Sequence, residues 1–482
     1  MTYSTMRDFL SALETKGLLR RIEKPVDPTW EPAALAKWMY QALPAEKRFG
    51  MLFEKVLGSD IPIATAALGA NTATYAAALG VEPEGINAAW ARACLNPIAP
   101  KEVKNAPCQE VVISGKDVRL SYLPIPVWTP GKDKGPYITT ITATRDLDTG
   151  KQNMGVYRTL VRDEKTVVSN LQPGRHGYAN TLTWTGKGRP APIAWVIAAP
   201  PAVHLAAVAR LPYGAEEIAI AGALMGAPVP MVKCKTVDLC VPAEAEIIVE
   251  GEVHPGETDM EGPFGEFAGY MGPIDRRPVV RITAITQRKN PIYYGLTSQM
   301  PPSESTTIQS LTNAGILLKT LRHDLGEIAV SDAFIDLTYG GLLAHAIVAM
   351  KPAYPGHAKK VGRLVAAASS VKRVTVVDED VDIRDSSHVD WAMNSRYNPA
   401  RDTILVDDVY YRTKAGQVCI DPSVAHNTMG SKVICDATLK VDAGTFSLPP
   451  KAIMMKALDA WKQAGLPEFE IPKRARLRID AS

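Results

Sequence analysis

From residue 137 to residue 300 the chain returns repeatedly to short runs rich in β-branched side chains, at 138–144, 156–161, 193–198, 246–253 and 279–286. Side chains branched at Cβ suit a pleated strand, and Asp148-Thr149-Gly150 supplies a turn between two of the runs. Strands spaced this closely predict an antiparallel sheet or a small barrel.

Helical signals flank this region. Thr5-Met6-Arg7-Asp8 has capping-box spacing ahead of Phe9, Leu10 and Leu13, and Gly17 follows as a stop. Residues 32–43 and 72–79 read as two more helices, and the prolines at 97, 100, 107, 124, 126, 130 and 136 mark loop and domain junction. After the strand-rich region, a helix over 305–321 leads to strands at 374–377 and 403–406 that alternate with helical segments, which predicts a second α/β layer. Near the end, Ile453, Met454, Ala457, Leu458 and Trp461 share one face of a helix stopped by Gly465. That face suits either a subunit contact or packing on its own domain.

The 482 residues are 46% apolar, enough to build more than one core. A formal charge of +3, from 54 basic and 51 acidic residues without a long basic run, argues against a nucleic-acid partner. No apolar run approaches the roughly 20 residues that span a bilayer. The six cysteines show no CxxC spacing and the N-terminus has no secretion-signal pattern, so the expected setting is a reducing cytoplasm. No Walker or dinucleotide fingerprint is present.

The chemistry-bearing signal is Glu261-Gly262-Pro263-Phe264-Gly265-Glu266-Phe267. Neither a helix nor a regular strand would bring its two carboxylates together, but Gly262 and Gly265 allow a tight turn that aims both at one cavity. Neighbouring carboxyls in a partly dry pocket do not both ionise easily, so one can serve as a proton donor. Taken alone, the pair also reads as solvated acids on a surface hairpin. Four further features accompany it: Asn153 and Arg158 in Asn153-Met154-Gly155-Val156-Tyr157-Arg158, His176 in Gly174-Arg175-His176-Gly177, and Glu217 opening the apolar run Ile218-Ala219-Ile220-Ala221.

In order and spacing these segments resemble the UbiD-like family of carboxy-lyases that use prenylated flavin mononucleotide (prenylated FMN). The resemblance covers nearly the whole chain and extends to Glu246-Ile247-Ile248-Val249-Glu250-Gly251, Tyr354-Pro355-Gly356-His357-Ala358-Lys359-Lys360, Val377-Asp378-Glu379-Asp380-Val381-Asp382 and Gly430-Ser431-Lys432. It implies a mixed α/β fold: an N-terminal α/β region (1–118), a split β-barrel binding the flavin (119–304), a linker helix (305–325), a C-terminal α/β oligomerisation domain (326–448), and a C-terminal helix and tail (449–482).

The resemblance also implies roles. Loss of a carboxylate leaves charge on carbon that no ordinary side chain delocalises, so an electron-accepting cofactor is needed, and prenylated FMN is the family's. Arg158 matches the arginine that grips the substrate carboxylate, a task suited to a planar, permanently charged fork. Glu266 matches the acid that protonates the product carbon, and Glu261 completes a Glu-Arg-Glu constellation. Asn153, His176 and Glu217 match a set of ligands for Mn²⁺ or Mg²⁺, which anchors the flavin phosphate with K⁺ close by. Met154, Gly155 and Val156 line the cofactor, and Arg175 and Lys359 approach its phosphate. A regular strand would aim Asn153 and Arg158 at opposite faces, and a bulge at Gly155 is one way to reconcile them. The remaining histidines earn no role, and the acidic run at 378–382 reads as a solvated strand end.

The expected partners are a small carboxylic acid, a flavin prenyltransferase that supplies the cofactor, and further copies of the chain in a homodimer or homohexamer. Neither a nucleic acid nor a membrane is expected. Competing readings are a divalent-metal hydrolase using His176, Glu217 and the two glutamates Glu261 and Glu266, and a catalytically silent assembly subunit. The positions expected to face the substrate ring, Ser303-Glu304-Ser305 and Gly340-Gly341-Leu342, offer no positive grip for a phenol. That favours a less hydroxylated aromatic acid, an indole, pyrrole or furan carboxylic acid, or a cinnamate-like acid.

Overall fold

A computed structural model describes residues 2–337, 345–410, 429–441 and 446–480. The chain divides into two compact units, one holding the residues up to Ile316 and the other beginning at Leu317.

In the first unit, the opening helix Met6–Thr15 is capped by Thr5, whose hydroxyl oxygen accepts the Asp8 N–H at 3.1 Å, and it buries Met6, Phe9, Leu10 and Leu13 on one face. Gly17, at φ +70°, ends the turn. From the same helix Arg7 reaches the fully buried Glu246 with two hydrogen bonds, at 2.7 and 2.6 Å. The Glu246-Ile247 motif therefore ties the N-terminal helix to the start of the longest strand.

That strand, Ile247–Glu261, pairs with Asp275–Gln287 as the spine of a nine-stranded sheet, antiparallel throughout its named pairings. Register shifts at Glu250/Gly251 and between Val253 and Thr258 curl it into a half-barrel. Ala191–Ile197 is buried at every position, as expected for a strand covered on both faces. Both spine strands run past the expected 246–253 and 279–286, because the hairpin end pairing Thr258–Glu261 with Asp275–Pro278 carries polar residues that hide the alternation. The run at 156–161 breaks after Val156 and resumes at Thr159, and 138–144 divides into Tyr137–Ile138 and Ile141–Arg145.

A four-stranded sheet joins Leu19–Ile22, Gly50–Phe53, Ile63–Thr65 and Tyr293–Tyr294. Glu304 locks it to the helix Glu304–Lys319. Its fully buried carboxylate accepts from the N–H groups of Ala66 (3.1 Å), Leu68 (3.0 Å) and Thr297 (3.0 Å) and from the Tyr294 hydroxyl. Burial pushes this carboxyl up to about 7. Glu304 is thus occupied in the scaffold. Gly340-Gly341-Leu342 lies outside the described residues. Glu304→Gln keeps the volume but turns an NH₂ toward two buried donors, and should destabilise the protein by about 3 kcal/mol, read as a lowered midpoint in thermal unfolding.

The second unit is a five-stranded sheet in the order Val330–Ile335, His345–Met350, Arg373–Asp378, Met429–Ala437, Thr403–Tyr410, with parallel central pairs. The helix His357–Ala368 packs Val361 and Val365 on one face, and Ser386–Arg396 packs Val389 and Ala392 on the other. This is the α/β layer expected from the alternation. The acidic run is not simply solvated: Asp378 and Asp380 grip the buried Arg396 at 2.8 and 2.6 Å. The helix Lys451–Gln463 buries none of its residues, and Ile453 and Trp461 remain exposed. No helix among the described residues is long and apolar enough to cross a membrane.

Candidate active site

Glu261 is the last residue of the long strand. Gly262 then adopts φ +94° with the Pro273 carbonyl so close that a Cβ would sit 2.7 Å from it, so only glycine turns the chain here. Phe264 is buried, and Glu266 N–H donates to the Tyr270 carbonyl at 2.7 Å. Gly272 lies beneath the Glu266 carboxyl, where a Cβ would meet Oε1 at 2.7 Å.

Arg158 comes from the two-residue break between the strands Gln152–Val156 and Thr159–Val161. Its Nε and Nη2 donate to the two oxygens of Glu261 at 2.8 and 3.0 Å, and Nη1 donates to Glu266 Oε1. The Phe264 ring lies 5.1 Å from the guanidinium carbon. The three charged side chains are nearly enclosed. Burial presses the guanidinium toward neutrality, but the facing Glu266 and Glu261 charges and hydrogen bonds outweigh it and hold Arg158 above its ordinary value. With two acids to one base, a proton taken up by the cluster cancels a net negative charge. The Arg158 N–H groups not committed to the glutamates offer a planar edge to a carboxylate.

The pairing of Gln152–Val156 with Ile141–Arg145 runs unbroken through Gly155, so the expected bulge is absent. The strand break at Tyr157-Arg158 is what frees Arg158 from the alternation set by Asn153. Tyr157 does further work that sequence reasoning missed. Its ring packs on Gly155 and Gly177, where a Cβ would lie 3.0 and 2.8 Å away, and its hydroxyl oxygen accepts Gly177 N–H at 3.0 Å. It thereby links the Asn153 strand to the N-terminus of the helix His176–Thr185. The signal was an aromatic residue set among small ones inside the motif.

Glu217 opens the helix Glu217–Met225, and its buried carboxylate accepts Met154 N–H at 3.0 Å, which puts it beside Asn153. Burial pushes this carboxyl up to about 7. Asn153 Nδ2 is buried with no hydrogen-bond partner among the described residues. The His176 ring stands edge-on to Tyr213, 5.1 Å between centroids, and Tyr213 donates to Asp146 at 3.0 Å. Among the described residues no three His, Cys, Asp or Glu side chains surround a common metal position. The donor set here is one amide, one imidazole and one desolvated carboxylate, which fits a divalent ion completed by phosphate and water. Exposed Arg175 directly precedes the His176 helix, whose N-terminus favours anions. Lys359 belongs to the second unit, where its ammonium donates to the Arg401 carbonyl at 2.6 Å.

Three family models together span most of the chain: the N-terminal domain (residues 10–94), the Rift-related domain (101–301) and the C-terminal domain (306–437) of 3-octaprenyl-4-hydroxybenzoate carboxy-lyase, UbiD. Among solved structures, the UbiD-class enzyme HmfF from Pelotomaculum thermopropionicum in complex with FMN is 34% identical, with a TM-score of 0.84 over 96% of this chain and 99% of that one. An evolved dimeric form of HmfF in complex with prenylated FMN is also 34% identical, with a TM-score of 0.81 over 93% and 97%. Vanillic acid decarboxylase from Sedimentibacter hydroxybenzoicus, in closed form, is 28% identical, with a TM-score of 0.82 over 96% and 99%. A carboxy-lyase assignment displaces the hydrolase reading, and with the Glu-Arg-Glu cluster in hand the chain belongs to the UbiD family of prenylated-FMN-dependent carboxy-lyases.

Proposed function

We propose that this enzyme reversibly decarboxylates an aromatic, heteroaromatic or α,β-unsaturated carboxylic acid, with prenylated FMN as covalent electron sink. The observation that carries the proposal is the Arg158 guanidinium forked onto Glu261 while also bonded to Glu266, the whole nearly enclosed. Bound prenylated FMN supplies the electron acceptor that no side chain provides. The chain's own residues do the rest. The open edge of Arg158 orients the substrate carboxylate, Glu261 fixes the plane of that guanidinium, and Glu266 delivers a proton to the carbon that carbon dioxide leaves and recovers it from solvent before the next turnover. In the reverse direction the same carboxylate removes the proton.

Asn153, His176 and Glu217 would hold Mn²⁺ or Mg²⁺ against the flavin phosphate. Met154, Gly155 and Val156 line the ring system, and Arg175 adds positive charge near the phosphate, with K⁺ as a second cation. His176→Ala should therefore lower divalent-metal and flavin content together, by about tenfold or more. Metal analysis and the flavin absorption of purified protein check this, and full occupancy of both would remove the assignment. The uncovered apolar face of the helix Lys451–Gln463 supports assembly into a homodimer or homohexamer. Among the described residues, the unbridged thiols of Cys108, Cys234, Cys240 and Cys435 support a cytoplasmic setting.

The direct test is the protein co-expressed with a flavin prenyltransferase and screened against furan, pyrrole, indole, benzoic and cinnamic acids. Carbon dioxide release or exchange with labelled bicarbonate is the expected result. A preparation loaded with prenylated FMN but inert toward every class would refute the proposed substrate range.

A further inference from the structure

The turn that carries Glu266 is gripped from behind by residues with no part in the chemistry above. Lys37, on the helix Glu31–Ala42, sends its ammonium to the Ser298 carbonyl and the Gln299 side-chain oxygen. An ammonium can only donate, so this contact fixes which end of the Gln299 amide faces it. Gln41, one helical turn on, donates to the Pro301 carbonyl at 3.2 Å, so the helix holds the 298–301 segment at two points. Gln299 itself is buried at φ +76°, a left-handed conformation that a residue with a side chain keeps only when its surroundings impose it.

Its side chain packs directly on Gly265, where a Cβ would meet Gln299 Cγ at 2.5 Å and Thr129 Oγ1 at 2.8 Å. From the other side Asp133 accepts Gly265 N–H at 3.2 Å and Thr129 N–H at 2.6 Å. Gln299 Nε2 and Thr129 Oγ1 are buried without partners among the described residues, so at Gly265 itself the Lys37 and Asp133 contacts add to the backbone bonds that close the turn, from Glu266 N–H to the Tyr270 carbonyl and from Gly272 N–H to the Phe264 carbonyl. The two charges face each other across it. Burial brings the Lys37 ammonium down to about 7, and Asp133 opposes that fall.

We propose that Lys37 and Asp133 are positioning residues that clamp Gly265 from two sides and so hold Glu266 in register for proton delivery. The clamp rests on the reading of Glu266 as the proton donor, but its structural half is measurable without any substrate.

The test uses the full-length, flavin-loaded enzyme. In Lys37→Met, hydrogen exchange in the 262–272 segment should quicken by about tenfold. With whichever panel acid the wild type turns over, kcat should fall by about tenfold to a hundredfold while KM and flavin content stay within about twofold. Lys37→Arg, which still donates to both acceptors, should restore each reading to within about threefold. Asp133→Asn, isosteric but able to accept only one of the two N–H groups, should reproduce the faster exchange, and it carries the test if Lys37→Met does not fold. Wild-type exchange rates in Lys37→Met, or in Asp133→Asn where that variant stands in, would overturn the clamp, as would an arginine variant no better than the methionine one. A wild type inert toward every acid counts against the functional reading alone, and the exchange rates still decide the clamp.

Discussion

Glu266→Gln should lose turnover by about a hundredfold to ten-thousandfold, the usual span for a general acid, while flavin and metal content stay at wild-type levels. Glutamine preserves the size of the side chain and keeps an oxygen for Arg158 Nη1, so the Arg158–Glu261 fork and the Gly265 turn have no reason to move. What disappears is a group that can give up a proton and take it back. The proposed cofactor site lies with other residues, around Tyr157 and Met154, so its occupancy is a separate reading. Single-turnover measurements with the flavin-loaded variant distinguish the steps: loss of carbon dioxide can still occur once, whereas exchange of the product C–H with deuterated solvent should stop. Exchange at the wild-type rate would remove Glu266 from the proposed role.

The parts of this molecule that its sequence disclosed are those whose signals are local. The Thr5 cap with its buried Phe9, Leu10 and Leu13, the helix at 72–79, and the Asp148-Thr149-Gly150 turn each depend on residues within a few positions of one another, and the observed elements match them. The spine strands were cut short because their bulges interrupt the period of two and their hairpin end faces water. At the site, the ordered motifs pointed to Arg158, Glu261 and Glu266, which the fold does bring into contact across separations of more than 100 residues. No periodicity could have shown that the chain breaks at Tyr157-Arg158, that Tyr157 packs on two glycines, or that Glu304 is committed to three backbone N–H groups. Lys37 and Asp133 were invisible for the same reason. Their meaning comes from Gln299 and Gly265, which lie far along the chain and meet them only in the folded state.

Arg158→Met should combine the largest loss of function with a stability gap that widens as pH rises. Without the guanidinium the substrate carboxylate has no partner at this position, and kcat/KM should fall by about a thousandfold or more. Glu261 and Glu266 are then left facing each other, nearly enclosed, with no cation between them. Removing one partner of a buried charge cluster costs about 3 kcal/mol or more, so thermal unfolding should begin well below that of the wild type near pH 8. The folded variant can relieve the repulsion by binding a proton that the unfolded chain, with its carboxyls in water, does not bind at the same pH. The native state then holds more protons than the unfolded one, and stability must fall as pH rises, by up to about 1.4 kcal/mol per pH unit for one proton. The wild type shares with the variant whatever the raised Glu217 and Glu304 carboxyls contribute over this range, but its cluster, balanced by an arginine held above its ordinary value, should add nothing further. Melting curves of the two proteins from pH 5.5 to pH 8.5 should therefore diverge steadily as pH increases. A constant gap across that range would mean that the two glutamates do not repel one another in the variant, and that Arg158 is not the charge that holds this site together.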